Sequence, residues 1–283
     1  MIIQPILETS MIKSSTISIV LGEYRRISGK IFDKFQRDGI WETIVAILRY
    51  PSTLMKSIAN GARLKRALKR ETLEERFSMI YEKNLWSSEE SVSGAGSEVR
   101  YTEPLRAWLV KAIPNYQIEK LVDAPCGDFN WMRLVLPQVD IEYFGYDIVE
   151  EVVSRNNKIY SADKIHFGVA DICKDKLPRC EILMVRDCLF HFSYEDVNQF
   201  LANIAKIDYK YLLTTTYLME DGFENRNITT GDFRHIDLFC DPFNFRRETV
   251  LERVSDSPKD DKIPRQMIML AKSDVPQNLD YNV

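Results

Sequence analysis

The stretch KLVDAPCGDFNWM, Lys120 to Met132, decides the fold. A run of β-forming residues ends in Asp123, and the chain turns through Pro125, Cys126 and Gly127. An apolar pattern then predicts a helix over DFNWMRLVLP, closed by Pro137. Strand, tight turn and helix in that order are where an open parallel sheet places its first ligand loop. A dinucleotide loop of the G-x-G-x-x-G type brings backbone N–H groups onto a pyrophosphate at a helix N-terminus. Gly127 stands alone here, so the turn is present without the glycines of a phosphate cradle.

Strand and helix signals alternate outward from this point. IEKLVDA, IEYFGYD, KIHFGVAD, EILMVRD, YKYLLTTTY and PRQMIMLAK read as strands. VEEVVSRNNKIY reads as a helix, and SYEDVNQFLANIAKI as another with Ser193 as its N-cap. Such alternation implies βαβ units and a parallel sheet covered on both faces. Ahead of the first strand, Leu73, Phe77, Ile80 and Tyr81 share one face of a helix, and EPLRAWLVKAI returns to helical spacing. Between them, SSEESVSGAGSEVRYT is rich in serine and glycine and reads as a plain linker or a lid ordered by a ligand.

An apolar fraction of 45% is ample for a core across 283 residues. No apolar run approaches the roughly 18 residues of a membrane span, and TISIVLG (Thr16 to Gly22) is too short for a signal peptide. The five cysteines form no CxxC pair, which suits a reduced, cytoplasmic protein. Three histidines without ligand spacing give no expectation of a metal. Charge is uneven: residues 1–70 carry 13 Lys+Arg against 5 Asp+Glu, and the remainder 25 against 37. An acidic body argues against nucleic acid as a partner. The basic arm has the composition to touch an acidic partner or an anionic membrane surface, while a solvated face of packing helices is the plainer reading. GIWETIVAILRYP (Gly39 to Pro51) and LMKSIANGARLKRALKR (Leu54 to Arg70) supply its helical patterns.

Three successive strands end in an acid: Asp123, Asp147 and Asp171, spaced 24 and 24 residues apart. Acids at one βα-unit spacing point to a ligand rich in donors and positive charge. S-adenosylmethionine meets that description, having a sulfonium, an ammonium, ribose hydroxyls and an adenine amine but no phosphate. Asp147 is placed to accept from the ribose hydroxyls and Asp171 from the adenine amine; as plainer readings, Asp123 and Asp147 cap the helices that follow them.

At LVDAPCGDFNWM, YFGYDIVEEVVSRN, FGVADI and EILMVRDCLFHFS the sequence resembles the class I S-adenosylmethionine-dependent methyltransferases, over about Phe77 to Lys272. Its segment YEKNLWSSEESVSGAGSEVRYT is similar to the Y-E-x-N-x-W, S-G-x-G-S, T pattern of a bacterial subgroup. The resemblance implies a Rossmann-like α/β fold with a mostly parallel seven-stranded sheet, helices on both faces and a helical N-terminal extension. It divides the chain into a basic extension (1–75), a methyltransferase domain (76–273) and a tail (274–283). It implies cofactor contacts from Trp86, Gly94, Gly96, Ser97 and Thr102, and from Asp123, Ala124, Cys126, Gly127, Asp147, Ile148, Asp171, Ile172 and Arg186. The family usually shows acid-x-Gly-x-Gly where this chain has Asp123-Ala124-Pro125-Cys126-Gly127, so the loop must approach the cofactor through Cys126 and Gly127.

Methyl transfer is an in-line displacement, and a hydroxyl acceptor needs its proton removed. Asp187 and His191 are four apart in VRDCLFHFS and share a side if the segment coils. One reading makes His191 the base and Asp187 its orienter; the other has Asp187 cap the turn and His191 pack beneath the cofactor. Arg186 pairs with an anionic substrate or, more plainly, a neighbouring acid. The insertion NRNITTGDFRHIDLFCDPFNFR offers Arg234, His235 and Asn244 as substrate contacts. No N/D-P-P-Y motif follows the fourth strand, which argues against amide or adenine N-methylation. The expected acceptor is a small molecule or glycan, with a sugar hydroxyl implied by the bacterial resemblance. Two rivals stand: a nicotinamide-dependent oxidoreductase, which binding of NAD would favour, and a non-catalytic module that binds a partner through the arm.

Overall fold

The computed structural model describes residues 59–258 and 263–279. The chain divides into two compact units, Met1–Arg66 and Ala67–Val283. Residues 59–66 of the first are helical. The expected helix over Gly39 to Pro51, the Thr16 to Gly22 run and most of the basic arm lie outside the described residues. No helix among the described residues is long and apolar enough to cross a membrane.

The second unit begins earlier than the expected boundary after residue 75 and includes helix α1, Leu73–Glu82. Thr72 caps that helix by accepting from the Glu75 N–H. Helix α2 spans Glu103–Asn115, α3 Glu150–Tyr160 and α4 Tyr194–Ile204, the last capped by Ser193 as its sequence indicates. The strands are β1 (Lys120–Asp123), β2 (Glu142–Asp147), β3 (Ile165–Val169), β4 (Cys180–Val185), β5 (Tyr209–Tyr217), β6 (Val250–Ser255) and β7 (Arg265–Ala271).

The seven form one sheet in the order β3-β2-β1-β4-β5-β7-β6, with β7 antiparallel to both neighbours. Side chains alternate across it, as the two-residue period of a strand requires. Leu121, Ile182, Met184, Leu213, Met267 and Met269 join Leu105, Leu109 and Ile113 of α2 in one core. Val122, Leu183, Val185, Leu212, Ile268 and Leu270 join Phe200, Leu201 and Ile204 of α4 in the other. Both faces are therefore covered, which is why these strands read as continuous apolar runs. The order reverses between β1 and β4, and ligands bind beside such a switch point.

Two expectations need correction. The segment after β1 is not an α-helix but two short 3₁₀ turns, Met132–Leu134 and Leu136–Gln138. Phe129 sits at φ +59°, and Pro137 has no N–H to give, so neither end supports an i→i−4 ladder. The tail also stays with the domain beyond residue 274: Val275 and Leu279 are buried, and the Leu279 N–H donates to Asn198 Oδ1 at 2.8 Å.

Candidate active site

The carboxyl ends of β1, β2 and β3 bring their three acids to a cavity of about 310 Å³, within the range of small-molecule sites. Asp123 is buried and accepts from the Tyr143 hydroxyl at 2.8 Å rather than capping a helix. Asp147 Oδ2 accepts from the Gly127 N–H and Oδ1 from the Val149 N–H, both at 3.0 Å. Asp171 Oδ1 accepts from the Cys173 N–H at 2.9 Å, and Lys174 lies 3.3 Å from its Oδ2. The Ile148 N–H also bonds the Asp147 carboxylate, so of its four acceptor positions one remains. Burial pushes Asp123 up to about 7, against the Tyr143 bond and Arg186, and Asp147 up to about 6, against its N–H donors. The site thus holds desolvated carboxylates whose charged forms have too few donors.

Gly127 adopts φ +55°, and a Cβ there would lie 2.3 Å from Ser93 Oγ. The turn therefore needs glycine on both conformational and steric grounds. Burial pushes the thiol of neighbouring Cys126 well up, so it is held as a neutral packing group.

The serine-rich segment ahead of α2 is more than a plain linker, being bonded to the loop that follows β1. Asp128 accepts from the Ser91 hydroxyl (2.9 Å) and the Val92 N–H (3.0 Å), and its own N–H donates to Ser93 Oγ (2.9 Å). Asn130 Nδ2 donates to Glu90 Oε1 (2.7 Å) and to the Ser97 carbonyl (3.0 Å). Trp86 and Ser93 to Ser97 thereby form one wall of the cavity.

Beyond β4, the residues expected to form a dyad are bonded to other partners. Asp187 is at φ +53°, and its Oδ2 accepts from Arg265 Nη1 at 2.9 Å and lies 3.2 Å from Arg186 Nη1. Thr215 donates to Oδ1 at 3.3 Å. Burial raises the Asp187 pKa, but Arg186 and Arg265 outweigh it and hold the group below the usual carboxylate range. His191 lies in the 3₁₀ turn Leu189–His191, and its Nδ1 is 2.8 Å from the Asp232 carbonyl. A carbonyl only accepts, so neutral His191 carries its proton on Nδ1 and presents Nε2 as an acceptor. Burial lowers its pKa, against the Asp232 bond and the charge of Asp187. Both residues line the cavity, but the orienter of His191 is a backbone carbonyl.

Arg186 lies beneath the cavity in a cluster that local sequence did not indicate. Its Nε and Nη2 donate to Asp256 Oδ1 (3.2 and 3.0 Å), and Nη2 also donates to the Gly96 carbonyl (2.7 Å). Arg265 Nε and Nη2 donate to the Asp256 carbonyl at 3.0 and 2.8 Å. β7 runs opposite to its neighbours, so its first residue, Arg265, reaches the edge where the other strands end. Gly96 sits directly on this cluster: a Cβ there would meet Asp187 Oδ2 at 2.5 Å.

Of the remaining expected positions, Gly94, Gly96, Ser97, Ala124, Cys126, Gly127, Ile148 and Ile172 line the cavity with Trp86. Thr102 does not; it is fully buried and bonded to the Glu98 and Val99 carbonyls. Three expected substrate contacts also fall elsewhere. Arg234 is buried over the Tyr194 and Phe243 rings, with Nε and Nη1 unpaired. His235 packs edge-on against Tyr217 and Phe233. Asn244 donates to Asp241 Oδ1 at 2.7 Å beside a second, open cavity. The insertion instead contributes Phe233 to the main cavity and the Asp232 carbonyl to His191.

No protein-family model matches the sequence, and no curated protein matches it. Among solved structures, the fold is similar to that of Burkholderia thailandensis 1,6-didemethyltoxoflavin-N1-methyltransferase with bound 1,6-didemethyltoxoflavin and S-adenosylhomocysteine. Identity is 13%, the match covers 71% of this chain and 91% of that one, and the TM-score is 0.52. PigF, solved with SAH, is similar over 82% of this chain and 73% of its own, at 12% identity and a TM-score of 0.51. At these identities the likeness is one of fold, the Rossmann-like methyltransferase fold.

Proposed function

We propose that this protein is an S-adenosylmethionine-dependent methyltransferase that acts on a hydroxyl of a polar small molecule, a sugar among the first to test. One observation carries the reading: three strand-end carboxylates meet on one cavity whose loop has the tight turn of a nucleotide site without its phosphate cradle. Two of those acids are desolvated enough to favour a cationic, donor-rich occupant. In this reading Asp147 holds the ribose hydroxyls. Asp171, Ile148 and Ile172 hold the adenine, and Asp123 with the Ser93–Ser97 wall takes the amino-acid end.

When bound, S-adenosylmethionine supplies a methyl group already activated on a sulfonium. The protein's part is then alignment, which by itself can supply much of the barrier reduction, and removal of the acceptor's proton. His191 Nε2 suits proton removal because the ring is neutral, its tautomer is set by Asp232, and it lies on the cavity wall. The support for a sugar is the ring-rich wall around Trp86, Phe190 and Phe233, whose faces pack on the apolar face of a pyranose.

The test is calorimetric titration with S-adenosylhomocysteine and, in parallel, NAD. Micromolar binding of the first alone is the expected result; binding of NAD alone would replace the proposal with an oxidoreductase. Asp147→Ala is expected to weaken S-adenosylhomocysteine by about 1–3 kcal/mol, roughly one to two orders of magnitude in Kd. An unchanged Kd would remove Asp147 from the ribose.

Affinity should also depend on pH with a definite sign. Asp123 and Asp147 titrate above the ordinary carboxylate value in the ligand-free protein, and the ligand's donors favour their charged forms. Binding should therefore be strongest above pH 7 and weaken as pH falls through about 7 and then about 6, with protons released on binding in that window. The same shifts make the ligand-free protein less stable as pH rises from the unfolded carboxylate value through this window. Titration in two buffers of different ionisation heat reads the proton release directly; affinity flat from about pH 5.5 to 8 would contradict it.

A further inference from the structure

Part of the cavity lining is a continuous set of rings. Trp86 stacks on His191 with centroids 5.2 Å apart and planes at 28°. Phe190 lies 4.6 Å from His191, and Phe233 lies 5.4 Å from Phe190. Tyr217 extends the set, 5.8 Å from Phe190. Phe233 remains 41% exposed, so the rings run from the buried interior to the surface. Such a wall receives a flat or ring-shaped molecule.

The cations on the lining, Arg186 and Arg265, are already paired with acids of the protein. Neither guanidinium is available to a ligand. Arg265 is committed to Asp187 and the Asp256 carbonyl, and Arg186 to Asp256 and the Gly96 carbonyl. Recognition of a phosphate, sulfate or carboxylate uses a free Arg or Lys fork, and among the described residues no Lys lines this cavity. Arg234, whose guanidinium lies over the Tyr194 and Phe243 rings, is not among the lining residues.

We infer that the acceptor is a ring compound bearing no anionic group, neutral or cationic, received against the wall of Trp86, His191, Phe190 and Phe233; as an acceptor assignment, this rests on the methyltransferase reading above. An acceptor carried on a nucleoside diphosphate or bearing a sugar phosphate would find no uncommitted cation on the lining. A free sugar and a neutral or basic heteroaromatic alcohol both satisfy the condition.

The probes are 2-naphthol, 2-naphthoate and 2-naphthyltrimethylammonium, which share one ring system and differ in charge. Each is titrated calorimetrically into the full chain, with and without saturating S-adenosylhomocysteine. The naphthol and the cation are expected to bind the saturated protein at least fivefold more tightly than the naphthoate, and Trp86→Ala to weaken the naphthol at least fivefold. A smaller or reversed difference between naphthol and naphthoate overturns the inference. So does a Trp86→Ala protein that binds naphthol unchanged, or loss of all probe binding under saturation, which would give the rings to the cofactor half. Should S-adenosylhomocysteine itself not bind, the methyltransferase reading fails, while the charge ranking is still decided on the ligand-free protein.

Discussion

Replacing Asp256 by alanine is expected to lower the free energy of unfolding by about 3–5 kcal/mol, the cost of breaking a buried ion cluster from one side. The Asp256 side chain is 0% exposed, and Arg186 and Arg265 beside it are 4% and 9% exposed. In the variant both guanidiniums face Asp187 alone, and Arg186 loses the acceptor of its Nε. Burial raises the Asp256 pKa, while the two arginines oppose that rise. Urea denaturation reads the change as a shift in midpoint at constant slope. Pairing Asp256→Ala with Arg186→Met should recover much of the loss, because an apolar replacement of a whole buried pair is often nearly neutral. A loss below about 1 kcal/mol, in the range of an exposed pair, would mean that water reaches the cluster.

Replacing His191 by alanine is expected to lower kcat by roughly 10²- to 10⁴-fold, the usual contribution of a positioned general base, with S-adenosylhomocysteine affinity within about threefold of the parent. The acid limb of the parent kcat profile should lie below the ordinary histidine value of about 6.5, because burial holds His191 down. Asp187→Asn should move that limb further down, because the Asp187 charge opposes the burial that lowers His191, while leaving the ring in place, since Asp187 is bonded to Arg265 and Thr215 rather than to the imidazole. A His191→Ala enzyme with near-parental kcat would assign catalysis to alignment alone.

Those two residues show where sequence reading succeeds and where it stops. The acids Asp123, Asp147 and Asp171 were legible because strand ends and their spacing are local patterns, and a parallel sheet brings every such end to one edge. The α1 face was legible for the same reason: Leu73, Phe77 and Tyr81 keep helical spacing and do line the cavity. The partner of His191 was not, because it is a backbone carbonyl 41 residues away, and a carbonyl has no residue signature. Arg265 and Asp256 were missed because their meeting depends on the reversed direction of β7, which a period-two pattern cannot encode. The seventh strand, β6, rested on resemblance, although VLERVS alternates in the manner of an edge strand. Arg234, His235 and Asn244 were grouped by proximity in sequence, but an irregular insertion points successive side chains in unrelated directions. The helix expected after β1 failed because Asp128 and Asn130, polar positions in an otherwise helical pattern, are committed to bonds with the preceding segment.

That last commitment has a thermodynamic consequence. Ser91, Val92 and Ser93 are held by Asp128, and Glu90 and Ser97 by Asn130, through bonds within the chain itself. Ordering a residue's backbone costs on the order of 1–2 kcal/mol of conformational entropy, and here that loss is incurred during folding. Capture of a ligand should then resemble docking to a rigid receptor rather than coupled folding. Its heat-capacity change should match the apolar surface the ligand itself covers, without the extra 1,000–3,000 Å² or so that an ordering segment adds. In Asp128→Ala the cover would be loosened in the free protein, and the same titration should show a more negative heat capacity and a larger entropic penalty.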